Sequence, residues 1–164
     1  MIDSYIRQYG KRLYGLCLHL CADRADADDL YQDTWLRVLQ NIDRYDKGRD
    51  FEPWLTTICV NTYRNALRRL ARSPLLHFQS GEEKDAFLHA VPAPEKADYS
   101  ELHAAVDALP EKLRLAVILF YFEDMDIAAT AQALNIPEGT VKSRLSKARN
   151  RLKEVLDHET DLRF

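Results

Sequence analysis

The sequence predicts an all-α protein built as two small helical bundles joined by a flexible linker. Three observations carry this. Apolar residues recur at intervals of three and four nearly throughout, the spacing of one face of an α-helix. Glycine and proline are scarce, 5 and 6 among 164 residues, and three of the prolines gather at positions 74, 92 and 94. No stretch reads convincingly as a strand. A chain of this length holds one ordinary domain or two small ones, and 46% hydrophobic residues suffice for packed cores.

The elements come in this order. Ile6, Tyr9, Leu13, Leu16 and Leu20 mark one face, so residues 4–22 read as an amphipathic helix. Asp26 or Asp28 is placed to cap a second helix that runs to about Ile42. The segment DRYDKGRDFE, residues 43–52, holds Gly48 and many charges and reads as a loop. Pro53 suits the first turn of a third helix, where its missing N–H is not needed. That helix runs to about Arg72, with Trp54, Leu55, Ile58 and Cys59 on its core side.

Composition shifts over residues 73–97, where the clustered prolines flank SGEEKD. A linker is expected at 74–99, between a first domain at 1–73 and a second at 100–164. Helical pattern resumes at Ser100. Pro110 opens a helix at 110–122 with the stripe Leu113, Val117, Phe120 and Tyr121. A short helix at 126–133, the turn LNIP and a last helix at about 138–156 complete the chain.

Net charge is −3, which by itself neither favours nor excludes nucleic acid. Its distribution says more. Residues 64–72 carry Arg64, Arg68, Arg69 and Arg72 with no acid, and residues 140–153 carry six cations with none. Acids gather at 23–33, at 82–85 and near the C-terminus. Segregated charge gives faces suited to different partners.

Several classes are disfavoured. Cys17, Cys21 and Cys59 are too sparse for a disulfide framework, so a reducing cytoplasm is the expected location. No apolar run of about 18 residues and no secretory leader is legible, and any membrane link is expected to come through a partner, not by insertion. CLHLC puts Cys17 and Cys21 on one helical face but turns His19 about 200° away, which argues against zinc. The cysteines are expected as small apolar filling, with a Cys17–Cys21 redox pair as the alternative. DRADADD lacks the glycine of a calcium loop. There is no phosphate-binding glycine loop, HExxH or nucleophile elbow. The sequence does not read as an enzyme, and no metal, cofactor or small-molecule substrate is expected.

TVKSRLSKARNRL, residues 140–152, carries the functional argument. On a helical wheel Val141, Leu145, Ala148 and Leu152 form a narrow apolar seam. Lys142, Ser143, Ser146, Lys147 and Asn150 lie opposite, and Arg144, Arg149 and Arg151 flank the seam. A solvated surface helix usually mixes acids with bases, and this one has no acid between Glu138 and Glu154. Short polar residues and lysine suit base edges in a major groove, and marginal arginines suit phosphates. With the helix at 126–133 and the turn LNIP, the segment reads as a helix-turn-helix, with Asn135 fit for a left-handed turn. A merely basic surface helix remains the alternative on pattern alone.

At this point the chain resembles a known family. LPEKLRLAVILFYFEDMDIAATAQALNIPEGTVKSRLSKARNRLKEVL is similar to the promoter-reading C-terminal domain of bacterial sigma factors, and IPEGTVKSRLSKAR is its most specific part. DADDLYQDTWLRVLQNIDRYD followed by FEPWLTTICVNTYRNALRR resembles sigma region 2. Two such domains with little between them is the layout of the extracytoplasmic-function (ECF) group. The chain departs from the usual pattern with AATA at 128–131 in place of EEIA, and with Asn135 in place of glycine.

The resemblance implies a factor that binds core RNA polymerase, reads the −35 element as duplex and captures the −10 element as a melted strand. Core binding would fall to Asp29, Gln32, Asp33, Leu36, Arg37 and Gln40, which share one face of the second helix and would meet the β′ clamp, with the β subunit as a further partner. The −10 strand would meet Lys47, Arg49, Phe51 and Asn61 in a base pocket and Arg64, Arg68 and Arg69 along the backbone. Trp54 is expected in the core. The −35 duplex would meet Lys142, Ser143, Ser146 and Lys147 at base edges and nearby phosphates, and Arg144, Arg149 and Arg151 at phosphates. Thr140 would stand near the helix N-terminus, where the dipole favours a phosphate. The family implies an anti-sigma factor as a further partner, with the linker letting the two domains be clamped. The competing readings are an autonomous helix-turn-helix regulator and a pure protein-interaction module.

Overall fold

The computed structural model describes residues 2–72 and 100–161. Among them lie seven α-helices and no strand: α1 (Ile2–Leu20), α2 (Arg24–Asn41), α3 (Phe51–Arg72), α4 (Ser100–Asp107), α5 (Glu111–Val117), α6 (Ile127–Leu134) and α7 (Glu138–Asp161). The chain divides into two compact units, α1–α3 and α4–α7. The predicted linker at 74–99 lies outside the described residues.

In the first unit α1, α2 and α3 pack against one another. Leu13, Leu16, Cys17 and Leu20 of α1 meet Leu30, Trp35 and Val38 of α2 and Leu55, Cys59 and Val60 of α3 in a buried core. Each large apolar side chain buried here stabilises the fold by about 1.5–3 kcal/mol before entropy is counted. Thr34 and Thr62 are buried because each hydroxyl donates to a backbone carbonyl one turn earlier, Leu30 at 2.6 Å and Ile58 at 2.7 Å. Gly10 lets α2 come close. A Cβ there would stand 2.9 Å from the Tyr31 hydroxyl.

The cap of α2 is Asp23, one turn before the aspartates expected to serve. Its extended backbone lets its carboxylate accept the Asp26 N–H at 2.8 Å. Asp26 falls in the first turn, where the helix dipole favours an acid. Asp28 accepts the Tyr14 hydroxyl at 2.6 Å instead.

Helix α3 starts at Phe51, two residues before Pro53, whose missing N–H is harmless in a first turn. Phe51, expected at a base pocket, is packed into the core of the first unit. It is only 3% exposed. Its ring stacks on Tyr5 at 4.2 Å and touches Tyr9, Tyr45 and Trp54 at 5.0, 5.3 and 5.6 Å. Trp54, expected in the core, is half-buried over Tyr45 at 4.9 Å. Leu55 and Cys59 are buried as expected, while Ile58 is half-buried. The cysteine pairing is also new. Cys17 meets Cys59 across α1 and α3 with the sulfurs 3.9 Å apart, a packing contact, well beyond the ~2.05 Å of a disulfide.

In the second unit α7 packs on α4, α5 and α6. The helix expected at 110–122 is α-helical only to Val117, and Ile118–Phe122 form a π turn closed by the Glu123 N–H on the Ile118 carbonyl at 3.0 Å. Leu113, Val117, Ile118 and Leu119 are buried, whereas Tyr121 leaves the expected apolar stripe and is 45% exposed. The wider turn carries one extra residue and so rotates the residues after it around the axis.

The helix-turn-helix is made by local chemistry. Asp126 caps α6 by accepting the Ala129 N–H at 2.7 Å. Asn135 ends it in the left-handed region, at φ 56 and ψ 49. Its N–H reaches the Gln132 carbonyl at 3.3 Å and the Ile136 N–H reaches Ala131 at 3.0 Å, the paired bonds of a Schellman turn. Pro137 then prevents continuation, and its carbonyl accepts the Thr140 and Val141 N–H groups that open α7.

Two variants test this fold. Asn135→Ala should lower the stability of the second unit by about 1 kcal/mol and Asn135→Gly should not. Urea unfolding followed by circular dichroism reads this, while the fluorescence of Trp35 and Trp54, both in the first unit, serves as the internal control. Equal stability of the alanine and glycine variants would sink the left-handed-turn argument. Phe51→Ala should lower the first unit's stability by about 3–5 kcal/mol in the same fluorescence transition. An unchanged midpoint would return Phe51 to the surface.

Candidate nucleic-acid interface

The burial of Val141, Leu145 and Ala148 fixes the rotation of α7. Lys142, Ser143, Ser146, Lys147, Arg149 and Arg151 are consequently exposed, as is Asn150. Arg144 and Thr140 are half-buried at the margins. Thr140 is the third residue of the helix, inside its first turn and not at its cap. No ion pair among the described residues ties Lys142, Lys147 or Arg151 to an acid. The outer face therefore presents short hydroxyls between uncompensated cations. One contact has no counterpart in the sequence pattern: Arg149 Nη1 donates to the Tyr121 hydroxyl at 3.0 Å.

The second basic surface is α3 with the loop before it. Asn61, Arg68, Arg69 and Arg72 are exposed, and Arg64 is half-buried. Residues 61, 64, 68 and 72 keep helical spacing and make one stripe. Arg68 leans on the Asn65 side chain at 3.4 Å. Lys47 and Arg49 are exposed in the loop. That loop is pinned: Asp46 accepts the Gly48 N–H at 2.9 Å, the Arg49 N–H meets the Asp46 carbonyl at 3.0 Å, and the Tyr45 hydroxyl donates to the Arg49 carbonyl. Burial, with Tyr5 and Tyr9 nearby, holds the Tyr45 phenol above its usual pKa. Asn61 stands about 15 Å along the axis from Phe51. Tyr5 and Tyr45, which build the loop's aromatic support, carry no sequence signal beyond their ring type.

The third face is on α2. Asp29, Gln32, Asp33, Leu36 and Gln40 are exposed, and Arg37 is half-buried. Leu36 is 55% exposed, and beside it stands Leu39 at 49%, which adds to the stripe expected from spacing. Its apolar character on the polar side of the wheel is the sequence signal for it. Two neighbouring exposed leucines ringed by charge suit a protein partner better than water. An open cleft between α1 and α2 borders this face, lined by Tyr14, Asp28, Tyr31 and Gln32 among others. The Tyr14 phenol is pushed up in pKa because its proton is held by Asp28. No described helix is long and apolar enough to cross a membrane.

Comparison with known proteins places the chain in a family. The family model described as Sigma-70 region 2 matches residues 5–73, and that described as Sigma-70, region 4 matches residues 99–152. The chain is 30% identical over 158 residues to the ECF RNA polymerase sigma factor SigW of Bacillus subtilis, covering 90% of this chain and 84% of that one. It is 32% identical over 145 residues to the ECF RNA polymerase sigma factor EcfG of Rhodopseudomonas palustris, covering 88% and 78%. It is 32% identical over 159 residues to the ECF RNA polymerase sigma factor SigE of Mycolicibacterium smegmatis, covering 94% of this chain but 61% of that longer protein. Among solved structures, the sigma factor RpoE in complex with the anti-sigma factor NepR from Bartonella quintana matches with a TM-score of 0.75 and 26% identity, over 94% of this chain and 96% of that one. The fold is also that of CnrH, solved with the cytosolic domain of CnrY, at a TM-score of 0.67 and 21% identity over 96% and 88%. The chain belongs to the extracytoplasmic-function group of bacterial RNA polymerase sigma factors.

Proposed function

We propose that this chain binds core RNA polymerase through α2 and directs initiation by reading −35 duplex with α7 and a melted −10 strand with α3 and its preceding loop. The observation that carries the reading is the outer face of α7, free of acid from Thr140 to Lys153 and locked outward by a buried seam. Lys142, Ser143, Ser146 and Lys147 are the base-edge and nearby phosphate candidates, and Arg144, Arg149 and Arg151 the phosphate candidates. Thr140, in the first turn, lies where a helix N-terminus favours a phosphate. On the first unit Lys47, Arg49 and Asn61 would meet bases, and Arg64, Arg68 and Arg69 the strand's phosphates. Phe51 supports this surface from beneath.

For the polymerase, Asp29, Gln32, Asp33, Leu36, Arg37 and Gln40 form the docking stripe, with Leu39 added. The β′ clamp is the proposed receptor and the β subunit a second contact. An anti-sigma factor is the proposed inhibitor, by likeness to the Bartonella structure, which holds one. The chemistry of RNA synthesis belongs to the polymerase, and this chain would work in the cytoplasm.

Core binding decides between this reading and an autonomous regulator. Purified chain should bind bacterial core polymerase tightly, and Asp33→Lys should weaken the complex by about tenfold or more, since it puts a cation at the centre of a matched interface. Failure to bind core, together with direct duplex binding, would favour the regulator. Within α7, Lys147→Ala should cost promoter selectivity. Arg151→Ala should weaken cognate and scrambled DNA alike and reduce the salt slope by about one. Equal losses on both DNAs for both variants would reject that division of labour.

A further inference from the structure

Tyr121 is the residue whose placement the core does not explain. It comes soon after two fully buried residues, Ile118 and Leu119, yet its own side chain is turned outward. The turn that carries it is π-helical, Ile118–Phe122, a geometry less favourable than the α-helix it interrupts and often found at functional positions. Its ring is braced edge-on by Phe120 at 4.9 Å and 87°. Its hydroxyl accepts a hydrogen bond from Arg149 Nη1 at 3.0 Å, across 28 residues of sequence. Arg149 lies at the edge of α7, where the seam gives way to the outer face.

We infer that Tyr121 is a positioning residue for DNA binding: its hydroxyl holds the Arg149 guanidinium at the edge of α7, aimed at a duplex phosphate. This rests on the proposed role of α7 in reading duplex. The choice of a phenol has a physical reason. A free arginine side chain samples many rotamers, and ordering it on contact costs entropy. A carboxylate would order it but would also neutralise the charge that the phosphate is to meet. A phenol is uncharged at neutral pH, so it orients the guanidinium and leaves its full charge in place. One N–H is used on Tyr121, and the remaining donors of the planar fork stay available for phosphate oxygens. The π turn is what brings the phenol to this edge, because α-helical continuation would have put residue 121 elsewhere on the axis.

The test is a double-mutant cycle on the full chain: Tyr121→Phe, Arg149→Ala and both together. Binding is read by fluorescence anisotropy on a short fluorescein-labelled duplex of mixed sequence, across a salt series. Tyr121→Phe should weaken binding by about threefold to tenfold, the value of one hydrogen bond. It should leave the urea unfolding midpoint unchanged. In the Arg149→Ala background it should add no further loss. Arg149→Ala should lower the salt slope by about one, and Tyr121→Phe should leave that slope in place. No loss in Tyr121→Phe, with Arg149→Ala impaired, overturns the positioning role alone. The same loss in both backgrounds also overturns it, since the phenol would then touch DNA or support the fold directly. Arg149→Ala with unchanged affinity and slope overturns the phosphate role of Arg149, and positioning falls with it.

Discussion

The burial of Val141, Leu145 and Ala148 against α4, α5 and α6 is the contact on which the second unit's proposed work depends. It is a narrow seam, one residue per turn, and it fixes the rotation of α7 about its own axis. A slip of one residue turns the helix by about 100°. Such a slip would drive Lys142 into the core and turn Val141 to solvent, at a cost far above any surface interaction. The outer face is thus specified by what the inner face cannot give up. Asn135 sets the second coordinate. Its left-handed backbone, with Pro137 two residues on, fixes the angle at which α7 leaves α6.

The same logic runs through the first unit. Ala27, Leu30, Thr34 and Val38 bury one side of α2 and so leave Asp29, Gln32, Asp33 and Leu36 outward. In α3 the inner side is Leu55, Cys59, Val60 and Tyr63, and this sets the outer stripe from Asn61 to Arg72. The loop before α3 is held differently. It has no helix to impose rotation, so a ring cluster and three local hydrogen bonds do that work. Phe51 at the centre of the cluster joins α1 to the loop and to the start of α3, and the salt bridge from Arg12 to Glu52 at 2.9 Å adds only a small exposed contribution.

What the sequence reveals and what it hides divide along a physical line. Helical periodicity is local, so the helices, the apolar seam of α7 and the turn residue Asn135 are legible from spacing alone. Two small units are legible because composition changes between them. Features set by packing between distant elements are not. Phe51 comes after a polar loop, and only Tyr5 and Tyr9 of α1 decide that it is covered. Cys17 has a near neighbour in sequence at Cys21, but its contact is Cys59, on another helix. Of the aspartates around residue 26, the cap is Asp23, which accepts the Asp26 N–H, and composition alone does not choose among them. The π turn at Ile118–Phe122 leaves no local mark either, and the exposure of Tyr121 is hidden with it.

The charge distribution bears on why such a chain would work through a polymerase. With 23 basic and 26 acidic residues, its overall field does not attract DNA. At physiological ionic strength charges beyond about 8 Å are screened, so attraction is confined to the two acid-free tracts themselves. On the proposed reading each tract would supply a handful of phosphate contacts, and alone each would give weak, salt-sensitive binding. On the proposed reading both tracts would be held by one polymerase near adjacent promoter elements. Engagement of the first then raises the effective concentration of the second, and two weak contacts combine into a strong one. On that reading an acidic free chain with local basic faces would associate little with bulk DNA, and core polymerase would supply the tether that makes those faces sufficient.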